Sequence, residues 1–311
     1  MKSYILKRIV SGILTIYFIA TATFVAMHMV PGDPLLKGKA INAEIRKNLE
    51  IQYGLDKPVY VQYFIYLKNI VQGDFGISFA QENRSVNDII QKHFPISALL
   101  GLVSIFIATI GGIIFGAITA LSRNRWPDHV VMLLVILGIS VPSFVFATMG
   151  QLLVIFINEK FGISILPVAG WGEFKHILMP AFALGIGTMA YLTRLMRSSM
   201  LEVVNMDYIR TAKSKGLSPL RIFFLHQLRN AILPVITILG PAIAAITTGG
   251  FVVELIFAVP GLGRYFVQAV NQLDYTVIMG LTVFYGAFLV MMVIAVDLIY
   301  GFIDPRIRVS K

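Results

Sequence analysis

Six apolar runs, each about 18 residues or longer, set the terms for this chain. They lie near residues 9–30, 98–121, 130–157, 176–193, 232–257 and 277–303. A run of that length crosses a bilayer core as an α-helix, and in lipid only helices and closed barrels satisfy their own backbone hydrogen bonds. The chain is therefore expected to be an all-α polytopic membrane protein with six transmembrane helices. A soluble domain would carry about a quarter charged residues, whereas this one has 14%. The third run spans 28 residues. It would reach about 42 Å as one helix, more than a bilayer needs, so a tilt or a break at Val141-Pro142-Ser143 is expected. The fourth is the weakest, since Pro180, Gly185 and Gly187 interrupt it.

Lysine and arginine then orient the runs. If the amino terminus is cytoplasmic, the inside segments hold 15 of the 26 basic residues: Lys2, Lys7, Arg8, Arg123, Arg125, seven from Arg194 to Arg229, then Arg306, Arg308 and Lys311. Eight of the remaining 11 fall in the long segment 31–97, and the positive-inside rule discounts long loops. Both termini are expected in the cytoplasm. The net charge of +10 thus reads as basic inner loops facing anionic headgroups, and a nucleic-acid partner is not expected. Lys7 and Arg8 precede an apolar stretch of signal-peptide type, but no small-residue cleavage site follows it, so it reads as an uncleaved anchor.

The outer segment from Pro31 to Ser97 is too long for a plain connector. Turns are expected at PGDP and GDFG, an amphipathic helix from Val59 to Val71, and a second short helix from Ser85 to His93. Two uses fit it: a cap or partner-receiving piece at the external mouth of a pore, or a packed lid with structural work only.

Enzymatic chemistry finds little support. There is no cysteine, so no disulfide or thiolate site. His28, His93, His129, His176 and His226 are scattered, without the spacing that places two ligands on one helix face. Glu254 and Asp297 are the acids inside the runs, each near one end, where a proton-coupled carrier wants partnered groups near the midplane. Gly185-x-Gly187-x-x-Ala190 follows no strand and lies in an apolar run, so it reads as close packing and not as a dinucleotide loop. Gly112-x-x-x-Gly116 would let a neighbouring helix approach closely. No G-x-x-x-x-G-K-[ST] occurs, so the chain has no P-loop of its own. No catalytic residue, resident metal or cofactor is expected.

The informative stretch is YIRTAKSKGLSPLRIFFLHQLRNAILP, Tyr208 to Pro234. Asn205 and Asp207 can each cap a helix over Tyr208–Lys215, with Arg210, Lys213 and Lys215 on its polar side and Tyr208, Ile209 and Ala212 opposite. Gly216 stops that helix, Leu217 supplies the hydrophobic contact, Ser218 caps the next helix and Pro219 takes its first position. The second helix, Leu220 to Leu228, leads into the fifth run. Physics alone leaves two readings open: an elbow projecting into the cytoplasm, or a basic hairpin lying on anionic lipid.

This stretch resembles the cytoplasmic EAA loop of ATP-binding-cassette importer permeases, in the form of the oligopeptide, dipeptide and nickel permease family: Y-[IV]-R-x-A-[RK]-x-K-G-L-S, then L-R-N-A-[IL]-[LI]-P. The likeness runs along nearly the whole chain, through ILKRIV, MVPGDP, YGLDKPVYVQYFIYLKNIVQGDFGISF, VPSF, VVELIFAVPGLGRYFVQAV and DLIYGFIDPRIR. The long loop after the first span is similar to the B-type subunit. The loop's name-giving Glu-Ala-Ala stands here as Arg210-Thr211-Ala212, and Gly216 lies farther from Pro234 than in sugar importers. Both departures are usual in the peptide branch.

The resemblance implies a type I importer permease of the MetI-like fold in a bacterial cytoplasmic membrane, carrying di- or oligopeptides; nickel or other metal chelates and glutathione are alternatives, and a secondary transporter is a further one. It implies four regions: an N-terminal transmembrane helix (1–30), an extracytoplasmic loop with short helices (31–97), a five-helix core (98–303) that includes the coupling loop 194–230, and a cytoplasmic tail (304–311). It implies partners: a C-type permease, two ATPase subunits holding ATP and magnesium, and an extracytoplasmic binding protein. The ATPase-coupling helix would use Asp207, Tyr208, Arg210, Thr211, Ala212, Lys213, Lys215, Gly216, Leu217, Ser218 and Pro219, with Gly216 and Ala212 keeping that contact close. Glu254, Pro260 and Gly261 would line a gate or meet the binding protein; for Glu254, a plain helix cap at the interface fits as well.

Overall fold

A computed structural model describes residues 2–30, 51, 54–81, 84–162 and 166–303. The PGDP turn, Arg306, Arg308, Lys311 and the tail lie outside the described residues, as does the side chain of Asp297. Among the described residues the structure is helical, with one isolated antiparallel bridge, Ile77 to Ser85. Five helices among the described residues are long and apolar enough to cross a membrane, or six if one bent pair counts as a single span.

The helices are α1 (Lys2–Met29), α2 (Val59–Val71), α3 (Val86–Leu121), α4 (Trp126–Ser140), α5 (Ser143–Phe161), α6 (Phe174–Val204), α7 (Asp207–Ser214), α8 (Pro219–Ala231), α9 (Leu233–Gly249), α10 (Phe251–Ile256), α11 (Leu262–Gln272) and α12 (Tyr275–Ile303). The chain divides into two compact units, Met1–Ser97 with Pro260–Lys311, and Ala98–Val259.

In the first unit, α1 packs on α12; Gly286 leaves no room for a Cβ, which would stand 2.7 Å from Ile19 Cδ1. Such contacts matter because lipid supplies no hydrophobic drive between helices, and association rests on close packing. The buried Asp274 ties the segment before α3 to the α11–α12 turn. It accepts hydrogen bonds from the Ser78 hydroxyl and from the amides of Phe79 and Ala80, at 3.1 and 3.0 Å. Arg84 donates to Tyr265 Oη (3.0 Å) and lies over that ring.

In the second unit, α6 is the central helix. It packs against α4, α5 and α9, and Leu192, Met196, Met200 and Val203 join Ala117, Ala120, Ala231 and Val235 in one buried cluster. Gly112 and Gly116 let α3 lie against α6, as the sequence suggests: a Cβ on Gly116 would fall 2.5 Å from Met196 Cβ and 2.8 Å from the Thr193 carbonyl.

The third run does break, with Val141 extended and Pro142 before α5, because a proline disfavours helical geometry in the residue before it. The expected short helix from Ser85 to His93 is not separate: it is the start of α3, which carries Pro95 inside and continues for 36 residues. A proline removes one donor from the ladder, and the apolar turns on either side carry the helix across. Likewise Pro180, Gly185 and Gly187 do not interrupt α6, which runs 31 residues to Val204; Gly185 is spent on close approach to the Ser104 carbonyl. The fifth run is not one helix, since Gly250 separates α9 from α10, and α8 meets α9 at a 48° bend.

Candidate functional site

The α7–α8 elbow is built by local chemistry. Ile209 and Ala212 on the inner face of α7 pack with Ile222 of α8 and with Leu217. The helix closes through two backbone bonds: the Leu217 amide donates to the Ala212 carbonyl (3.3 Å) and the Gly216 amide to that of Lys213 (3.0 Å). This is the Schellman pattern, and it requires a left-handed residue at its apex. Gly216 provides it, at φ +73°. Ser218 accepts a hydrogen bond from the Arg221 amide (3.4 Å) and Pro219 opens α8.

The capping expectation at the start of α7 is corrected. Met206 holds the cap position without a side-chain bond, and Asp207 is the first helical residue. Asn205 instead ends α6, its Nδ2 donating to the Leu201 carbonyl at 2.9 Å. Asn205 keeps helical backbone geometry, φ −91° and ψ −2°, where a cap of the next helix needs an extended one. Tyr208 is not on the apolar face either. It is exposed, and its hydroxyl accepts from Asn230 Nδ2 at 3.2 Å.

Of the residues expected at the coupling surface, Asp207, Tyr208, Arg210, Thr211, Lys213, Lys215, Gly216, Ser218 and Pro219 are exposed. Leu217 is half-buried and Ala212 is buried, so Ala212 supports α7 from beneath and does not line its outer surface. Arg210 and Asp207 form an exposed pair at 3.7 Å, a geometry worth little in water. On α8, Leu220, Phe224 and Leu225 are exposed apolar residues beside this polar face. The turn Phe223–Leu228 is π-helical, a feature no residue pattern announces; it inserts one extra residue into the helix.

One group near the elbow escapes sequence reading altogether. Asp128, in the first turn of α4, is 2% exposed. Arg197, ten positions before α7 on α6, meets it with both prongs: Nε to Oδ1 and Nη2 to Oδ2, each 2.8 Å. The Asn124 amide adds a third bond to Oδ2 at 3.0 Å, from a left-handed residue at φ +60°. The available signal was a lone aspartate among Arg123, Arg125 and an apolar helix, which a pairwise search across 69 positions would have been needed to exploit.

Glu254 lies in α10, inside the second unit, 3% exposed, with an oxygen close to Gly250. That placement is interior. Pro260 and Gly261 belong to the first unit: the Pro260 carbonyl lies 2.8 Å from His93 Nδ1, and Gly261 is the residue before α11. Since Arg84 only donates, His93 Nε2 at 3.3 Å must accept from it, which places the imidazole proton on Nδ1 facing Pro260. Among the described residues no cluster of three or more histidine, aspartate or glutamate side chains is arranged to hold a metal ion.

Comparison with known proteins supplies the rest. Residues 112–309 match the family of binding-protein-dependent transport system inner membrane components, and residues 1–101 match the N-terminal part of such membrane components. The chain is 47% identical to the dipeptide transport system permease protein DppB of Bacillus subtilis, covering 100% of this chain and 99% of that one. It is 41% identical to the oligopeptide transport system permease protein OppB of Haemophilus influenzae, and 38% identical to that of Escherichia coli K12, in each case over 99% of this chain and all of the relative. A crystal structure of an amino acid ABC transporter with histidines superposes with a TM-score of 0.52 at 17% identity, covering 68% of this chain and 93% of that one. This last likeness speaks to the fold alone.

Proposed function

The chain belongs to the binding-protein-dependent transport system permeases, and from that membership we propose that it takes its motion from a separate ATPase docked on the α7–α8 elbow. Its relatives are dipeptide and oligopeptide permeases along their full length, so it is a multi-pass membrane subunit of a peptide ABC importer and not itself an enzyme. In our reading it forms half of the translocation path beside a second, homologous permease. Two ATPase subunits bind ATP and magnesium beneath the pair, and an extracytoplasmic binding protein delivers the peptide. Both termini lie in the cytoplasm.

The observation that carries the coupling reading is how the elbow divides its residues. Ile209, Ala212, Leu217 and Ile222 close a small apolar core under α7, leaving Asp207, Arg210, Thr211, Lys213 and Gly216 exposed along one stretch. A helix stiffened from beneath and joined to α6 through only two residues can pass a push into the membrane helices. Transport needs such a two-state element, biased by a partner's ligand.

Gly216 is the place to test it. A Cβ there meets no atom within 4 Å, so the effect of a substitution arises from backbone geometry or from a docked partner. Asparagine tolerates left-handed geometry far better than most residues. Gly216→Asn therefore separates the two causes, keeping the helix stop while adding a side chain to the surface. Both Gly216→Asp and Gly216→Asn are expected to insert normally, bind peptide-loaded receptor and lose ATP-driven uptake. Wild-type uptake by both variants would sink the docking assignment.

A further inference from the structure

We propose that α2 lies within the lipid leaflet at the far end of α1, as a membrane-immersed helix whose outer face contacts acyl chains and not water or a second protein. The inference needs only that α1 spans the bilayer.

The depth follows from α1. Lys7 and Arg8 fix one end at the headgroups, and 21 residues separate Arg8 from Met29. At about 1.5 Å per residue that is about 32 Å, the thickness of the hydrocarbon core, so Met29 stands at the opposite boundary. The side chains of α2 that reach α1 meet it below that boundary. Tyr63 Oη is 2.8 Å from Thr21 Oγ1 and 3.2 Å from Tyr17 Oη. The Tyr63 and Tyr66 rings pack on Phe24 at 5.2 and 5.5 Å between centroids, and Gln62 Oε1 lies 3.4 Å from His28 Nε2. Phe24 and Thr21 are five and eight residues short of Met29, about 8 and 12 Å inside the core. A helix held there sits at the depth where amphipathic helices settle in the interface.

The chemistry of α2 agrees with that depth. The Tyr63 hydroxyl bonds to Thr21 and Tyr17 of α1, as a polar group removed from water should, while the Tyr66 hydroxyl is buried without a hydrogen-bond partner. Its outward side carries Tyr60, Phe64 and Val71, which are 67, 66 and 88% exposed. The same side carries one charge, Lys68, long enough to reach the headgroups along its own stem. On α1, Phe18 is likewise an exposed apolar side chain, at 72%. Apart from Lys68, the neighbouring charges lie beyond the ends of α2, at Asp56, Lys57 and Asp74. A face turned to water would have left three large apolar side chains solvated together and its charges in the wrong place.

The chain has no cysteine, so a single-cysteine variant of it needs no other change in this chain. The importer, purified with the subunits that accompany this chain and placed in lipid nanodiscs, would carry a nitroxide at Tyr60→Cys, Phe64→Cys or Val71→Cys. Collision with molecular oxygen, which concentrates in lipid, is compared with collision with a water-soluble nickel chelate. Phe18→Cys is the lipid reference and Lys57→Cys the water reference. Oxygen-to-nickel ratios close to that of Phe18→Cys are expected at positions 60 and 64. Ratios close to that of Lys57→Cys would overturn the proposal in favour of a water-exposed helix, and protection from both agents would overturn it in favour of a covering protein.

Discussion

A carboxylate as deeply buried as Asp128 must be neutralised where it stands, because an isolated charge in an apolar interior costs several kcal/mol. Arg197 and the Asn124 amide do this with three hydrogen bonds in good geometry. Replacing aspartate by asparagine keeps the size and one acceptor but strands the guanidinium. Removing one partner of a buried pair costs about 3–5 kcal/mol. The Arg197 side chain keeps 24% exposure, so hydration recovers part of this and about 2 kcal/mol is the expected loss. Thermal unfolding of purified Asp128→Asn, Arg197→Gln and the double variant would measure it. The double variant should lose less than the two single losses combined, and strict additivity would show that the bidentate contact contributes nothing.

Helices in this chain are set by two kinds of glycine, and they respond to substitution in opposite directions. Gly116 is a contact: an alanine methyl would fall 2.5 Å from Met196 Cβ and 2.8 Å from the Thr193 carbonyl, so α3 and α6 must separate. Gly187 merely occupies a helix, with the nearest atom, the Gly138 carbonyl, 3.5 Å from such a methyl. Gly116→Ala is expected to destabilise by about 1–3 kcal/mol through overpacking. Gly187→Ala should be neutral or stabilising, by up to about 1 kcal/mol from helix propensity. Melting temperatures that move the same way in both variants would contradict this division. The same contrast explains what the sequence made legible. The close approach through Gly112 and Gly116 and the stop at Gly216 were readable because glycine is the residue those geometries favour. The stop after α10 has the same pair of backbone bonds, Val259 to the Glu254 carbonyl and Ala258 to that of Leu255. There the left-handed residue is Ala258, at φ +52°, and alanine gives no sign of it. Leu273, at φ +53° after α11, is equally silent. Pro180 misled in the other direction, since it signals a break that tertiary packing overrides, and Pro95 likewise lies inside a continuous helix. At the elbow, the apolar pattern located Ile209, Ala212 and Leu217, but the π-turn and the Asp128–Arg197 pair depend on contacts that no local pattern contains.

The side of the membrane on which the elbow lies depends on how many times the chain has crossed before it, and the break at Pro142 puts that number in question. If α4 and α5 formed a re-entrant hairpin, three crossings would precede α7; if they form one bent span, four would. The Asp128–Arg197 pair decides between them, because it fixes the first turn of α4 at the level of Arg197, near the end of α6 where α7 begins. Helix α6 is 31 residues long, about 46 Å, enough to cross once with turns to spare. The chain therefore leaves that level through α4 and α5 and returns to it through α6, so the two short helices together make one crossing. The α3–α4 turn with Arg123 and Arg125 and the elbow with Arg210, Lys213 and Lys215 then share a side. In the orientation proposed above, that side is the cytoplasm, as the positive-inside rule expects. Single cysteines introduced into this cysteine-free chain test the result in intact cells with a membrane-impermeant maleimide. Lys57→Cys should react from outside, whereas Arg125→Cys and Lys213→Cys should react only after permeabilisation. Labelling of Lys213→Cys but not Arg125→Cys from outside would restore the hairpin and place the elbow where no cytoplasmic ATPase could reach it.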